Sequence, residues 1–328
     1  DYLKVFSQMK ILLSQKSKPF ADRFTFFMER KALMMHTVNK HVSCFRKLCN
    51  LAAMEGYNSN AVSLRVWKDK TVKEEEKRKE IYLTDEEIDG MYKMELTGME
   101  EKVRDIFLLG YFSCQRYSDY SELKKKNFIT YNKELGIITL TQKKTGREVC
   151  VPIVDDRVYE LCNKYHYVFP TVTEQQLNEK IKVVAQKLSA TMPSMGEKEI
   201  TVLTSREKSA EETYSKLLKK KKAGVKFTEN ERKRFGKLNK VAMLHGGETL
   251  YERNKDGEVI RPKFQLVSSH TSRRSGVTNM YKMGILSNIE MRSITGHRSE
   301  KVFETYIKVS KAEQAQQIAQ KLKAAKVK

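Results

Sequence analysis

At 328 residues the chain is long enough for two domains that each bury a core, and 40% hydrophobic against 32% charged residues is a globular balance with a highly charged surface. The excess has one sign: 63 lysines and arginines face 41 aspartates and glutamates, a formal net charge of +22. That points to a polyanionic partner, nucleic acid ahead of an anionic membrane. No apolar run approaches the ~20 residues that span a bilayer, and none is joined to a leader-cleavage pattern, so no membrane role is expected.

Five dispersed cysteines (Cys44, Cys49, Cys114, Cys150, Cys162) show no CxxC spacing. They read as reduced, mostly buried thiols of an intracellular protein, without zinc or a disulfide framework. The chain begins at Asp1 inside a helical pattern, so an upstream segment is expected.

Residues 1–56 read as a small helical domain. Tyr2, Val5, Phe6, Met9, Leu12 and Leu13, then Phe20, Phe24 and Phe27, then Val38, Val42, Phe45, Cys49 and Ala52 recur at helical spacing, and Gly56 closes the last helix. Lys40, Arg46 and Lys47 between them are candidate phosphate contacts. Residues 57–80 lose periodicity and include KEEEKRK, a linker. Thr84 with Glu87 is a capping box opening a second domain over 81–328. Val103 to Phe112 predicts a buried helix ending at Gln115, Arg116 and Tyr117, and an arginine there is costly unless an anion meets it.

Ile137 to Leu140 and Val149 to Ile153 predict a β-hairpin around QKKTGRE, with Gly146 in the turn and Lys143 and Lys144 near the tip. Thr173 with Gln176 caps a further helix with the stripe Leu177, Ile181, Val184 and Leu188. Over about 197–245 a basic helical insertion is expected, with helices capped by Ser209 with Glu212 and by Thr228 with Glu231. The run Lys219, Lys220, Lys221, Lys222 at its loop would repel itself without a counter-anion, which makes these four candidate DNA contacts. Lys263 to Val267 reads as a strand or extended approach to His270. Ala312, Ala315, Ile318, Ala319 and Leu322 give a C-terminal helix over about 311–325 a narrow apolar stripe that needs a groove, in its own chain or a neighbour's.

One stretch, Ser268 to Lys308, places His270, Arg273, His297 and Tyr306 in order, the tyrosine nine positions after the second histidine. A phosphodiester in transit needs fixed cations on its non-bridging oxygens, and arginine supplies a permanently charged fork. Arg116 and Arg273 suit that task, and His270 and Lys144 suit proton transfer. Singly each residue reads as structural; their joint order does not.

Arg116 in FSCQRYSDYSEL, the lysine of KTG, the HxxR of His270 and Arg273, the GH of Gly296 and His297, and Tyr306 together resemble the tyrosine recombinase (phage integrase) family. SSHTSRRS and ITGHRSEKVFETYIK look most like integrases of Bacteroides-type mobile elements, conjugative transposons or prophages. The resemblance implies a mainly α fold with a small antiparallel β-sheet, a helical core-binding (SAM-like) domain and a tyrosine-recombinase catalytic domain. It implies that Tyr306 attacks the scissile phosphate to leave a 3′-phosphotyrosine and a 5′-hydroxyl, with Arg116 and Arg273 clamping the phosphate. Lys144 would protonate the leaving oxygen, His270 would assist proton transfer and His297 would hydrogen-bond the transition state. Lys144 is taken over Lys143 from its match to KTG; Lys143 and Arg274 are further DNA-contact candidates.

The implied partners are double-stranded DNA, three further copies in a homo-tetramer on two paired sites with a Holliday junction, and host or element-encoded DNA-bending proteins. No cofactor, metal or ATP is implied, and the implied location is the bacterial cytoplasm at the nucleoid. A type IB topoisomerase, a telomere resolvase, or a catalytically silent DNA-binding protein on the same fold are the alternatives.

Overall fold

The computed structural model describes residues 18–30, 33–55, 70–72, 80–130 and 135–326. The first apolar stripes form α1 (Lys18–Glu29) and α2 (Met35–Met54). Their facing sides bury Phe24, Met28, Val38, Val42 and Phe45 in one small core, with the Phe24 and Phe45 rings 5.9 Å apart. The expected positions Tyr2 to Leu13, Gly56 and most of the 57–80 linker lie outside the described residues, as do the side chains of Phe20, Cys49 and Ala52.

Thr84 and Glu87 close a reciprocal capping box at the start of α3 (Asp85–Lys93). The next helix, α4 (Gly98–Ser113), is buried along Val103 to Tyr111, where Arg104 and Asp105 pair with each other at 2.7 Å among the apolar side chains. A single turn, α5 (Tyr117–Tyr120), leads to β1 (Phe128–Thr130), β2 (Gly136–Thr141) and β3 (Glu148–Ile153), an antiparallel sheet in the order β1-β2-β3. Register pairs Ile138 with Val151 and Leu140 with Val149, and Gly146 takes φ 63° in the hairpin turn. α6 (Asp156–Lys164) and α7 (Glu174–Leu188) follow, α7 behind the expected Thr173–Gln176 box and burying Leu177, Ile181, Val184 and Leu188.

β4 (Lys198–Ile200) pairs with β5 (Ile260–Pro262), and between them lie α8 (Ser205–Lys222) and α9 (Glu229–Ala242). These two helices share a core of Tyr214, Leu217, Phe235, Ala242 and Leu250, with Tyr214 stacked on Phe235 at 5.7 Å. Then come α10 (Ser269–Met283), α11 (Asn288–Thr295), α12 (Glu300–Glu304) and α13 (Lys311–Lys326). The chain divides into two compact units, Asp1–Lys79 with Ile200–Ile260, and Glu80–Glu199 with Arg261–Lys328. No helix among the described residues is long and apolar enough to cross a membrane.

Close packing of α4 on α10 sets up everything that follows. A Cβ added to Gly276 would lie 2.4 Å from the Tyr111 carbonyl oxygen, and one on Gly110 would lie 2.7 Å from Ser272 Oγ. Small residues at both crossings let the helices approach within backbone contact. The chain just before α3 lies along α10: Leu83 N–H donates to Ser275 Oγ and Asn279 Nδ2 donates to the Leu83 carbonyl.

Several expectations are corrected. α8 is capped by Thr204 with Glu207, not by Ser209 with Glu212; Ser209 lies inside the helix, its carbonyl accepting from Thr213 Oγ1. Lys219 to Lys222 form the last turn of α8 and not a loop. Lysines there meet the negative end of the helix dipole; Lys220 pairs with Glu231 and Lys222 with Glu248, so two of the four have counter-charges within the chain, and Lys221 stacks on Phe235. Lys263 to Leu266 is a 3₁₀ turn, and the short strand precedes it at β5. Of the described cysteines Cys114 and Cys162 are buried but Cys44 and Cys150 are exposed. The expected C-terminal helix is present, with Ala312, Ala315, Ile318 and Ala319 exposed in the chain itself.

Candidate active site

α4 stops at Cys114, a non-glycine residue with φ 54°. That left-handed conformation is strained for a residue with a Cβ. Its buried side chain packs with Val277, Met291 and Phe303, contacts that offset the strain. Burial also pushes the thiol up to about 12, so it is an inert packing group. The reversal carries Gln115 and Arg116 off the helix axis.

His270 and Arg273 stand three residues apart in the first turns of α10 and so share a face. Arg273 is fully buried. Its Nη2 donates to the Thr295 carbonyl at 2.9 Å and to His297 Nε2 at 2.9 Å, while Nε and Nη1 have no partner among the described residues. Burial pushes its pKa down to about 10, which still leaves it charged at neutral pH. A buried cation with two unmatched donors is costly, and an anion accepting both removes the cost.

Tyr306, just after α12, brings its hydroxyl 3.1 Å from His270 Nε2. Its ring lies 4.6 Å from the His297 ring and 5.2 Å from the Arg273 guanidinium carbon. The backbone around it is pinned twice. Thr278 Oγ1 donates to the Tyr306 carbonyl at 2.9 Å, and Lys308 pairs at 2.9 Å with Glu80, which also pairs with Arg274. His270 keeps an exposed edge, yet partial burial and then the charges of Arg274 and Arg273 lower its pKa, so the ring is neutral at pH 7.

His297 is neutral too. Burial, then Arg273 and Arg116, hold its pKa at about 3. Arg273 always donates, so Nε2 is the acceptor and Nδ1 carries the proton toward Thr295 Oγ1, 2.8 Å away. Here His297 offers the site no N–H; it holds the arginine fork instead.

A stability consequence follows with a defined sign. In the unfolded chain this ring takes its proton near pH 6.5, whereas in the fold it resists protonation until about 3. The stability it contributes is present above pH 6.5 and is lost as pH falls toward 3. Between pH 6.5 and 5 wild type should lose ~1.5 kcal/mol of urea-unfolding free energy more than His297→Gln does; equal losses would contradict the assignment.

The hairpin turn is tied to the site by a residue not anticipated from the sequence, Gln142. Fully buried, it donates from Nε2 to Gln115 Oε1 at 2.7 Å and to the Thr295 carbonyl at 2.9 Å. Its Oε1 accepts from Thr145 Oγ1 at 2.7 Å and from Arg116 Nη1 at 3.3 Å. Gln115 continues the chain to the Ile294 carbonyl. Gly296, at φ 71°, leaves room for this: a Cβ there would lie 2.4 Å from Gln142 Nε2. Gln142, Gln115, Thr295 and Thr278 had no signal beyond being polar residues next to the motifs.

Lys143 and Lys144 differ in surroundings. Lys143 bonds Glu122 through its ammonium and Asp119 through its backbone N–H, whereas Lys144 is exposed with no ion pair among the described residues. Among the DNA-contact candidates, Lys40 and Lys47 are exposed on α2 and Arg46 is half-buried. Arg274 is buried against the Ile81 carbonyl and Glu80, which removes it from any surface where a phosphate could be met. Among the described residues no three His, Cys, Asp or Glu side chains are grouped to hold a metal ion.

The site thus joins a tyrosine hydroxyl on a neutral imidazole, two arginines, one with unmatched donors, and a lysine on an adjacent turn. Residues 1–66 match the family described as Phage integrase SAM-like domain, and no curated protein matches the chain. Among solved structures, XerH site-specific recombinase bound to a palindromic difH substrate is similar over 97% of this chain and 76% of its own, at 12% identity and TM-score 0.55. A lambda integrase dimer bound to a COC′ core site is similar over 93% and 85%, at 15% identity and TM-score 0.50. The Tn1549 transposon integrase in complex with a circular intermediate DNA is similar over 98% and 91%, at 11% identity and TM-score 0.50. The chain has the fold of the tyrosine recombinases, mainly helical with small antiparallel sheets.

Proposed function

We propose that this protein is a site-specific DNA recombinase of a mobile element, of the Bacteroides-type group its motifs resemble, cutting and rejoining DNA through Tyr306. The observation that carries the reading is the buried Arg273 with Nε and Nη1 unmatched, beside a tyrosine hydroxyl 3.1 Å from a neutral histidine nitrogen. The likeness to recombinases solved on DNA, and the net charge of +22, support DNA as substrate.

In this reading the two free donors of Arg273 and the guanidinium of Arg116 bind the non-bridging oxygens of the scissile phosphate. The Tyr306 hydroxyl proton passes to His270 Nε2 as the phenol oxygen forms its bond to phosphorus. The bond from phosphorus to the 5′ oxygen breaks, and that oxygen takes a proton from the Lys144 ammonium. The products are a 3′-phosphotyrosine and a 5′-hydroxyl. One phosphodiester has been exchanged for another of similar energy, so a second strand's 5′-hydroxyl can reverse the step without ATP. Four protomers on two paired sites would exchange strands in pairs through a Holliday junction, with the exposed stripe of α13 available to a neighbour.

The test is a supercoiled plasmid carrying two copies of the host element's junction sequence. Strand exchange that requires both copies is the expected result. Relaxation of a plasmid lacking them, by single protomers, would make the protein a topoisomerase and overturn the reading.

A further inference from the structure

The insertion between β4 and β5 takes no part in the chemistry above, yet residues 205–245 hold thirteen lysines and arginines against five glutamates. Lys220 and Lys222 of α8 pair with glutamates of the chain, whereas two of the three lysines of α9 pair with none among the described residues. α9 buries Phe235 and Ala242 on one side. On the opposite side Lys233, Gly236, Lys237 and Lys240 recur at steps of three and four and all are exposed. Lys233 makes only an exposed pair with Glu229, of little energetic weight. Lys237 and Lys240 make no ion pair or side-chain hydrogen bond among the described residues.

Gly236 points the same way. A glycine inside a helix costs about 1 kcal/mol relative to alanine, and nothing lies within 4 Å of where its Cβ would be. No packing among the described residues accounts for it. A backbone that approaches α9 from outside does. The centre of this face holds no aromatic or aliphatic anchor of the kind that organises a protein interface, while three lysines spread over ~10 Å of helix suit a duplex that carries one phosphate per ~1.7 Å of its axis.

We propose that the exposed face of α9 carrying Lys233, Gly236, Lys237 and Lys240 is a docking surface for the phosphate backbone of duplex DNA, additional to the catalytic centre. This rests on the recombinase reading only in taking DNA as the substrate. Gly236 lets a sugar-phosphate strand lie against the helix, and the lysines neutralise its phosphates without reading sequence.

The test measures affinity of the full chain for a fluorescent mixed-sequence duplex across a salt series. Replacing Lys233, Lys237 and Lys240 together by glutamine should reduce the slope of log affinity against log salt by about 2.7, some 0.9 for each phosphate no longer neutralised. Gly236→Ala should raise the melting temperature and at the same time weaken DNA binding severalfold. An unchanged slope in the triple variant overturns the proposal, as does a Gly236→Ala protein that is more stable and binds equally well. Covalent trapping of wild type on nicked DNA is scored in parallel. Trapping with an unchanged slope sinks this surface alone, whereas absent trapping with a reduced slope sinks the recombinase reading and leaves the surface standing.

Discussion

Arg273→Lys is expected to slow covalent attachment to DNA about a thousandfold, the loss typical when a fixed donor to a developing oxyanion or phosphoryl group is removed. Lysine keeps the charge but not the planar fork. Arginine here spends Nη2 on the Thr295 carbonyl and His297 and still presents Nε and Nη1. A lysine ammonium, one atom on a flexible stem, cannot hold the Thr295 carbonyl and also span two phosphate oxygens. Duplex affinity should change less than threefold, because most binding comes from phosphate contacts spread over the whole protein. Single-turnover cleavage beside equilibrium binding checks this. A parallel loss of both would make Arg273 an ordinary phosphate anchor.

Gln142→Ala is expected to cost about 3 kcal/mol of stability and roughly a hundredfold in cleavage. Truncation leaves the buried Gln115 Oε1 without its donor and the Thr295 carbonyl with Arg273 Nη2 alone. It also frees Arg116 and the Thr145 hydroxyl, so the turn bearing Lys144 loses its tie to the α4 terminus. Gln142→Glu separates the two effects. A carboxylate keeps the bond from Arg116 but cannot donate to Thr295, so it should restore part of the cleavage and little of the stability. Denaturant unfolding and single-turnover rates of both variants test it; an Arg116 function untouched by either change would contradict the proposed coupling.

How much of this was legible depends on how local each signal is. The boxes at Thr84, Thr173 and Thr228 are four-residue patterns whose partners lie within one turn, and each caps its helix as read. The box at Ser209 fails because Thr204 offers the same pattern five residues earlier, and nothing between them stops a helix. α6 and the three-residue β1 are not among the expected elements; β1 is too short to show alternation and exists through its pairing with β2. The ion pairs of Lys220 and Lys222 are not legible, because Glu231 and Glu248 are distant in sequence and meet the lysines only once the helices fold back. The juxtaposition of His270, Arg273, His297 and Tyr306 was foreshadowed by spacing. The Gln115–Gln142–Thr295 network was not, since its members span 180 residues and meet only when α4, the hairpin and α11 pack.

The central claim is that Tyr306 forms a covalent bond to DNA, and one measurement addresses it. A duplex of the element's core site, nicked beside the cleavage position so that the released fragment diffuses away, traps any covalent complex for denaturing electrophoresis. Wild type should shift to a protein–DNA adduct whose only modified peptide contains Tyr306, and Tyr306→Phe should bind the same duplex and give no adduct. An adduct that persists in Tyr306→Phe would contradict the account.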